Sequence, residues 1–393
     1  MSARPDTMPD RWEPSDRIVS SCRIPDWSKR IPALDGLRGI AILMVLMRHS
    51  IFVMKTHSRI LLPILAAGKL TWSGVDLFFV LSGFLIGGIL LDAKHSPRYF
   101  KTFYLRRVFR IFPLYYLVVG LFLFSRLPFR ILPGTIGEHV PVSIPWIAYL
   151  TLTQNFWIAG LPGAMEATWS LCIEEQFYLV IPLVIRNLTR RQLVATLVAV
   201  VASVPALRVL MHYYYPHGDY FCYVLTPCRA DVLCLGVLAA VLVRTPAGWR
   251  LLLSRRMWLR GGLLLLFAGV VYMTWAGYGA FRPPMTTFGL SCIAFFYTLV
   301  LLAVVSTNRE TVRDVLCNRW LTKLGTLAYC LYLVHVPLIH AGRWAFATAL
   351  RKSDNAAWFL GGMLGIAASL IVASFSWTYF EKPLLKIGHK YQY

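Results

Sequence analysis

The stretch Ile31-Pro-Ala-Leu-Asp-Gly-Leu-Arg-Gly-Ile-Ala-Ile-Leu-Met-Val-Leu-Met-Arg-His-Ser50 reads as a membrane helix that carries two polar residues on one face. Arg38 lies near its start and His49 eleven residues on. Eleven steps of about 100° return to within about 20° of the starting direction, with a rise of roughly 16 Å. Arg38 can therefore face the headgroup level while His49 sits deep in a bundle. A surface cation above a buried base suits a long anionic donor that reaches inward to a reaction centre.

The rest of the chain extends this pattern. Of 393 residues, 57% are hydrophobic, and mean hydropathy is +0.59. Apolar runs of membrane-crossing length recur throughout, which predicts an all-α, polytopic transmembrane bundle, because helices satisfy their own backbone inside lipid. Spans are expected near 36–55, 73–91, 109–125, 168–187, 192–211, 228–243, 259–276, 285–306, 324–343 and 356–379. Residues 1–30 are polar and read as a flexible cytoplasmic arm, 31–385 as the transmembrane domain, and 386–393 as a short cytoplasmic tail.

The formal charge of +22 would suggest nucleic acid in a soluble protein. Here topology explains it. The segment 143–160 contains Gln154 and Asn155 between Pro and Gly residues. If it is re-entrant and the N-terminus is cytoplasmic, the inner segments hold 28 Lys+Arg and the outer ones 11. A crossing there would put later basic loops outside. Ten spans with both termini inside are expected. The eight Cys show no metal-ligand spacing, so no metal site is expected. Cys222 and Cys228 flank one outer loop, where a disulfide is one option.

Ionisable residues at membrane depth are costly and are functional candidates by default. His49 can take a proton from a hydroxyl near neutral pH, or it can pack against a neighbouring helix. Arg48 points about 100° away and can pair with Asp76 or Glu174, or reach outward. Asp35 can pair with Arg38 one turn away. Trp169-Ser-Leu-Cys-Ile-Glu-Glu-Gln-Phe-Tyr178 opens an apolar helix with two carboxylates. Acidic residues there suit the helix dipole. Alternatively, Glu174 orients His49 or binds a sugar hydroxyl, with Tyr178 one turn below.

Tyr104-Leu-Arg-Arg-Val-Phe-Arg-Ile-Phe-Pro113 places Arg107 and Arg110 on one face at an inner boundary. Such guanidinium forks suit phosphates or anionic lipid equally well. Arg229 and Asp231 begin a span and can pair locally. His335, close to Pro337, is either a binding residue or a packing histidine. Glu381 closes the last helix and reads as structural. Val80-Leu-Ser-Gly-Phe84 lacks the nucleophile-elbow pattern, so Ser82 is not assigned a catalytic role.

Seven stretches in order resemble the integral-membrane acyltransferase-3 family, bacterial O-acyltransferases of surface polysaccharides. They are Leu34–Ala41 with His49, Gly74–Phe84, Tyr104–Pro113, Trp169–Tyr178, Arg229–Asp231, Tyr332–His335 and Glu381–Pro383. The resemblance covers roughly residues 31–385 and implies acyl transfer, usually acetyl, from cytoplasmic acyl-CoA as co-substrate. The acceptor would be a hydroxyl of a lipid-linked saccharide or exported glycan. His49 matches the family's essential histidine, as base or acyl carrier, and Arg38 its partner arginine. Arg107 and Arg110 match its inner-face Arg-x-x-Arg, which favours a donor-binding role. Glu174 and Asp76 would orient His49 or the acceptor. An outer funnel including Trp169 and Tyr178 would receive the sugar, with His335, Arg229 and Asp231 as further binding candidates. Some relatives carry a fused SGNH-type outer domain that has no counterpart here, so a separate periplasmic transferase is one expected partner. A flippase for a lipid-linked glycan or acyl donor is the alternative reading, since it too would use buried His, Arg and Glu.

Overall fold

The computed structural model describes residues 26–27, 29–51, 68–125, 144–157, 165, 167–350 and 355–393. Among these residues there is no strand. Nine helical segments are long and apolar enough to cross a membrane. Pro32–Ser50, 19 residues with three charged side chains, is a further long helix. The chain is thus an all-α, multi-pass membrane protein.

Ten long helices build the bundle. They are α1 (Pro32–Ser50), α2 (Gly74–Asp92), α3 (Tyr99–Ser125), α4 (Thr168–Asn187), α5 (Arg190–Tyr214), α6 (Thr226–Val243), α7 (Arg256–Trp275), α8 (Leu290–Ser306), α9 (Arg319–Leu350) and α10 (Asn355–Ser376). Pro32 starts α1 where its fixed φ and missing N–H cost nothing. Asp35 in the first turn and Arg48 and His49 in the last complement the helix dipole. A capping box of Thr189 and Gln192 starts α5. Helix α10 runs through a wide turn, Trp377–Glu381, into the short helix Lys382–His389. Ser376 donates to Glu381 there at 3.1 Å, in keeping with a structural carboxylate.

Two crossings organise the core. Helix α9 packs on α1 and α10, while α6 packs on α2 and α5. Both depend on glycine, as membrane helices commonly do, because small residues let backbones approach. A Cβ on Gly325 of α9 would collide with the Asp35 carbonyl of α1. Gly83 of α2 and Gly236 of α6 likewise face each other's backbone.

Several boundaries differ from expectation. Helix α3 begins at Tyr99, ten residues before 109, so the arginine-rich stretch is helical throughout. Helix α9 is longer than 324–343 at both ends. Residues 52–55 of the first expected span lie outside the described residues, as does most of the arm. The described end of the arm is not loose, since Trp27 packs edge-on against Phe84 and Trp249 at 5.8 and 6.2 Å. The tail also docks: Arg106 and Thr102 donate to the carbonyls of Tyr391 and Gln392 at 2.8 and 3.0 Å.

The described part of 143–160 holds the short helix Trp146–Leu150 and the turn Gln154–Phe156. Five helical residues rise only about 7.5 Å, too little to cross. Side chains anchor this irregular backbone. Tyr115 and Tyr116 donate to the carbonyls of Tyr149 and Leu150 at 2.8 and 2.7 Å. Asn155 donates to the Val224 carbonyl at 3.1 Å. Non-helical backbone is tolerated at membrane depth where protein satisfies it in this way. Cys222 and Cys228 are both buried and remain thiols, so no disulfide joins them.

Gly325→Ala should lower the thermal unfolding midpoint in detergent, with an overpacking cost of about 1–3 kcal/mol. Gly120→Ala meets nothing within 4 Å and should leave the midpoint unchanged or raise it. Equal midpoints for the two variants would refute the close-crossing account.

Candidate functional site

A cavity of about 400 Å³ opens at the Arg38 end of the bundle. Four guanidinium groups line it: Arg38 from α1, and Arg106, Arg107 and Arg110 from α3. The helical register of α3 brings its three arginines toward one side. Glu174 and Tyr178 of α4 and Ser82 of α2 form another wall. The Arg107 guanidinium lies 4.0 Å from the centre of the Tyr178 ring. The Tyr178 hydroxyl bonds Ser82 and donates to Glu174 at 3.3 Å. Asp35 meets both Arg38, at 3.5 Å, and Arg30, at 2.6 Å. Tyr393 of the tail also lines the cavity, and burial pushes its phenol up against the opposing pull of Arg106 and Arg107. Along α2 the lining runs from Ile89 to Val75, a rise of roughly 21 Å.

A second cavity, of about 200 Å³, opens at the other end and is lined by His49 and Arg48. Its mouth is aromatic. Trp169 packs on Tyr223 at 4.7 Å and edge-on to Phe79 at 6.1 Å, and Tyr223 packs on Phe281 at 4.9 Å. Val75 and Tyr332 line both cavities. At this junction the Tyr332 and Ser170 hydroxyls hydrogen-bond at 2.5 Å. The two cavities thus share Val75 and Tyr332 as a common wall, with the Tyr332 phenol at their junction.

His49 is held by α9. Its Nδ1 lies 2.9 Å from the Val45 carbonyl and 3.4 Å from Nε2 of His335. Arg343 donates to the carbonyls of His49 and Ser50 at 2.8 and 2.9 Å, which caps the C-terminal end of α1.

The acyltransferase-domain pattern of the acyltransferase-3 family matches residues 31–377. The chain belongs to this family. Curated relatives include YrhL of Bacillus subtilis, 30% identical over 385 residues. The peptidoglycan O-acetyltransferase OatA of Listeria monocytogenes is 26% identical over 378 residues. The O-acetyltransferase OatA of Staphylococcus aureus is 26% identical over 372. Each alignment covers 92% of this chain but only 56–58% of the relative, so the chain spans somewhat over half their length. No solved structure matches it.

Within this acyltransferase-3 chain the expected site residues fall into three groups. Arg38, Arg107, Arg110, Glu174 and Tyr178 share the arginine cavity, whereas His49 and Trp169 share the other. Tyr178 lines the arginine cavity and is absent from the lining of the aromatic one, one turn beyond Glu174 on α4. Glu174 lines the arginine cavity and accepts from Tyr178 at 3.3 Å, whereas His335 lies against the His49 ring in the other half of the bundle.

Asp76, Arg229 and Asp231 form the third group, a buried ion network. Arg229 pairs with Asp76, across α6 and α2. Asp231 pairs with Arg208 of α5 at 2.6 Å and accepts from Ser291 of α8 at 2.6 Å. All four charged side chains are essentially inaccessible, and the lining of the two cavities includes none of them. Asp76 thus does not face His49, and Arg229 and Asp231 do not pair with each other. They are two residues apart, about 200° around α6, so each reaches a different helix.

Arg208, Arg343 and Arg106 carry roles that local motifs did not signal. Arg208 and Arg343 were visible as lone arginines within apolar runs, the pattern that marks a buried partner.

Arg208→Met should destabilise the fold by about 3–5 kcal/mol, because it strands the Asp231 carboxylate. Adding Asp231→Leu should recover much of that loss. Thermal midpoints of both variants in detergent check this, and no recovery would count against the ion-network account.

Proposed function

We propose that this chain is an O-acyltransferase of the bacterial cytoplasmic membrane that moves an acetyl group from cytoplasmic acyl-CoA to a hydroxyl of an envelope glycan. The observation that carries the reading is the pair of cavities in one bundle, one cationic and one holding His49, that meet at Val75 and Tyr332. The similarity to proteins named peptidoglycan O-acetyltransferases favours a peptidoglycan-type saccharide as acceptor. The positive-inside balance supports the arginine cavity as the cytoplasmic one, with both termini on that side.

Arg38, Arg106, Arg107 and Arg110 hold the donor phosphates, since guanidinium forks bind phosphate oxygens in pairs. The pantetheine arm runs along α2 from Ile89 towards Val75. Its thioester arrives at the junction beside Tyr332. The sugar enters from the outer side past Trp169 and Tyr223, whose faces suit a pyranose ring. His49 accepts the proton of the acceptor hydroxyl. The oxygen forms a bond to the thioester carbonyl carbon, and collapse of the tetrahedral intermediate breaks the carbon–sulfur bond. The coenzyme A thiolate leaves and takes the proton from the His49 imidazolium, which restores the base. A separate outer transferase that completes delivery to the final glycan is the second route to the same product.

Membranes containing the wild type, given labelled acetyl-CoA and an envelope glycan extract, should pass label to glycan. His49→Ala should reduce transfer by about 10²–10⁴-fold, the range of a general base, with protein level unchanged. Arg107→Ala should act mainly on KM for acetyl-CoA, raising it about tenfold, one charge-assisted contact. Transfer by His49→Ala at the wild-type rate would remove the base from the mechanism. Glycan flux without any acylated product would favour transport instead.

A further inference from the structure

His335 is fully buried on α9, four residues from Leu331 and three from Tyr332. Its Nδ1 lies 3.1 Å from the Leu331 carbonyl oxygen and 2.9 Å from that of Tyr332. Two acceptors at one ring nitrogen require that nitrogen to carry the proton, since a lone pair there would face two oxygens. In the neutral ring the lone pair therefore sits on Nε2, and Nε2 is the atom 3.4 Å from His49 Nδ1.

The same reasoning extends to His49. Its Nδ1 faces the Val45 carbonyl oxygen and the His335 lone pair, again two acceptors. Nδ1 must be its N–H, which leaves Nε2 as the basic nitrogen. The rings meet edge to face, with centroids 4.9 Å apart and planes at 71°. The Val45 carbonyl belongs to the helix of His49 itself and lies one turn back. His335 comes from a different helix and ties the ring to α9 at the same nitrogen.

We propose that His335 is the positioning residue for His49: a neutral imidazole whose Nε2 lone pair receives the His49 Nδ1–H, fixes the tautomer that exposes Nε2 as base, and stabilises the imidazolium that forms when His49 takes the acceptor proton. This assigns His335 to the catalytic histidine rather than to substrate. It rests on the acyltransferase reading only for its kinetic consequence. The geometric part stands apart from that reading. His335 performs without a charge the task that a carboxylate performs in serine hydrolases. A neutral partner suits the site, because a carboxylate at this depth would carry a desolvation penalty. A proton on His335 Nε2 would set N–H against N–H, so the pair holds one added proton, and that proton is on His49.

Two substitutions separate positioning from packing. His335→Gln keeps an acceptor oxygen at about the place of Nε2, whereas His335→Met keeps volume and removes the acceptor. Full-length wild type and both variants are reconstituted in vesicles, checked for folding by gel filtration, and given labelled acetyl-CoA with glycan extract. In the same samples His49 is modified with diethyl pyrocarbonate, which attacks unprotonated imidazole nitrogen, and the rate is read by peptide mass spectrometry.

The expected result is a kcat lowered about ten- to a hundredfold in His335→Met, the size of one charge-assisted hydrogen bond. KM for acetyl-CoA should be unchanged, because the arginine cavity is untouched. His335→Gln should stay within about threefold of wild type. Carbethoxylation of His49 should slow severalfold in His335→Met and recover in His335→Gln. If folded His335→Gln is as impaired as His335→Met in both readouts, or if His335→Met matches wild type in both, the proposal is overturned. If wild type transfers no acyl group, the acyltransferase reading fails, and the carbethoxylation rates alone decide the positioning role. If His335→Met does not fold, the comparison of His335→Gln with wild type decides it on both readouts.

Discussion

The close approach of α1 and α9 is the constraint on which the site depends. Gly325 lets the α9 backbone reach the Asp35 carbonyl of α1. From that contact, α9 follows α1 along its whole length. One helix pair thus brings Arg343 to the carbonyls of His49 and Ser50, and His335 to the His49 ring. A side chain at Gly325 would force α9 away from α1 and strain the contacts that the two helices share. His49 is therefore held in part by packing at the opposite end of its own helix.

The buried charges divide by what they face. Asp76, Arg229, Arg208 and Asp231 are paired between helices and closed off from both cavities. Such pairs contribute little net stability, but removing one partner is costly, so they specify how α2, α5, α6 and α8 meet. The arginines of the first cavity differ. Glu174 is the carboxylate on that wall, and four guanidinium groups converge with it. An excess of positive charge in a concave, low-dielectric site is the arrangement that an anionic ligand completes.

The sequence carried more of the fold than of the site's wiring. Ten apolar runs determine ten long helices, because lipid allows the backbone few other solutions. The placement of Arg38 and His49 on one face also follows from the chain, since it needs only the helical repeat. The same holds for the shared face of Arg107 and Arg110. Helix ends were less legible: α3 continues to Tyr99 because an amphipathic, arginine-bearing turn can leave the membrane without ending the helix.

Which buried groups meet was decided by tertiary structure alone. Asp76 and Glu174 look alike as lone carboxylates in apolar runs. One faces Arg229 across a glycine-tight crossing and the other faces Tyr178 and the arginine cavity. A helix sequence states the direction in which a side chain leaves its own axis, but not which helix lies in that direction. Partner choice depends on crossing angle and depth, and these are set by packing over the whole bundle. So the chain by itself determined the spans and the one-faced array of Arg38 and His49. Only the folded bundle decided that His335 would meet His49, because the two lie 286 residues apart.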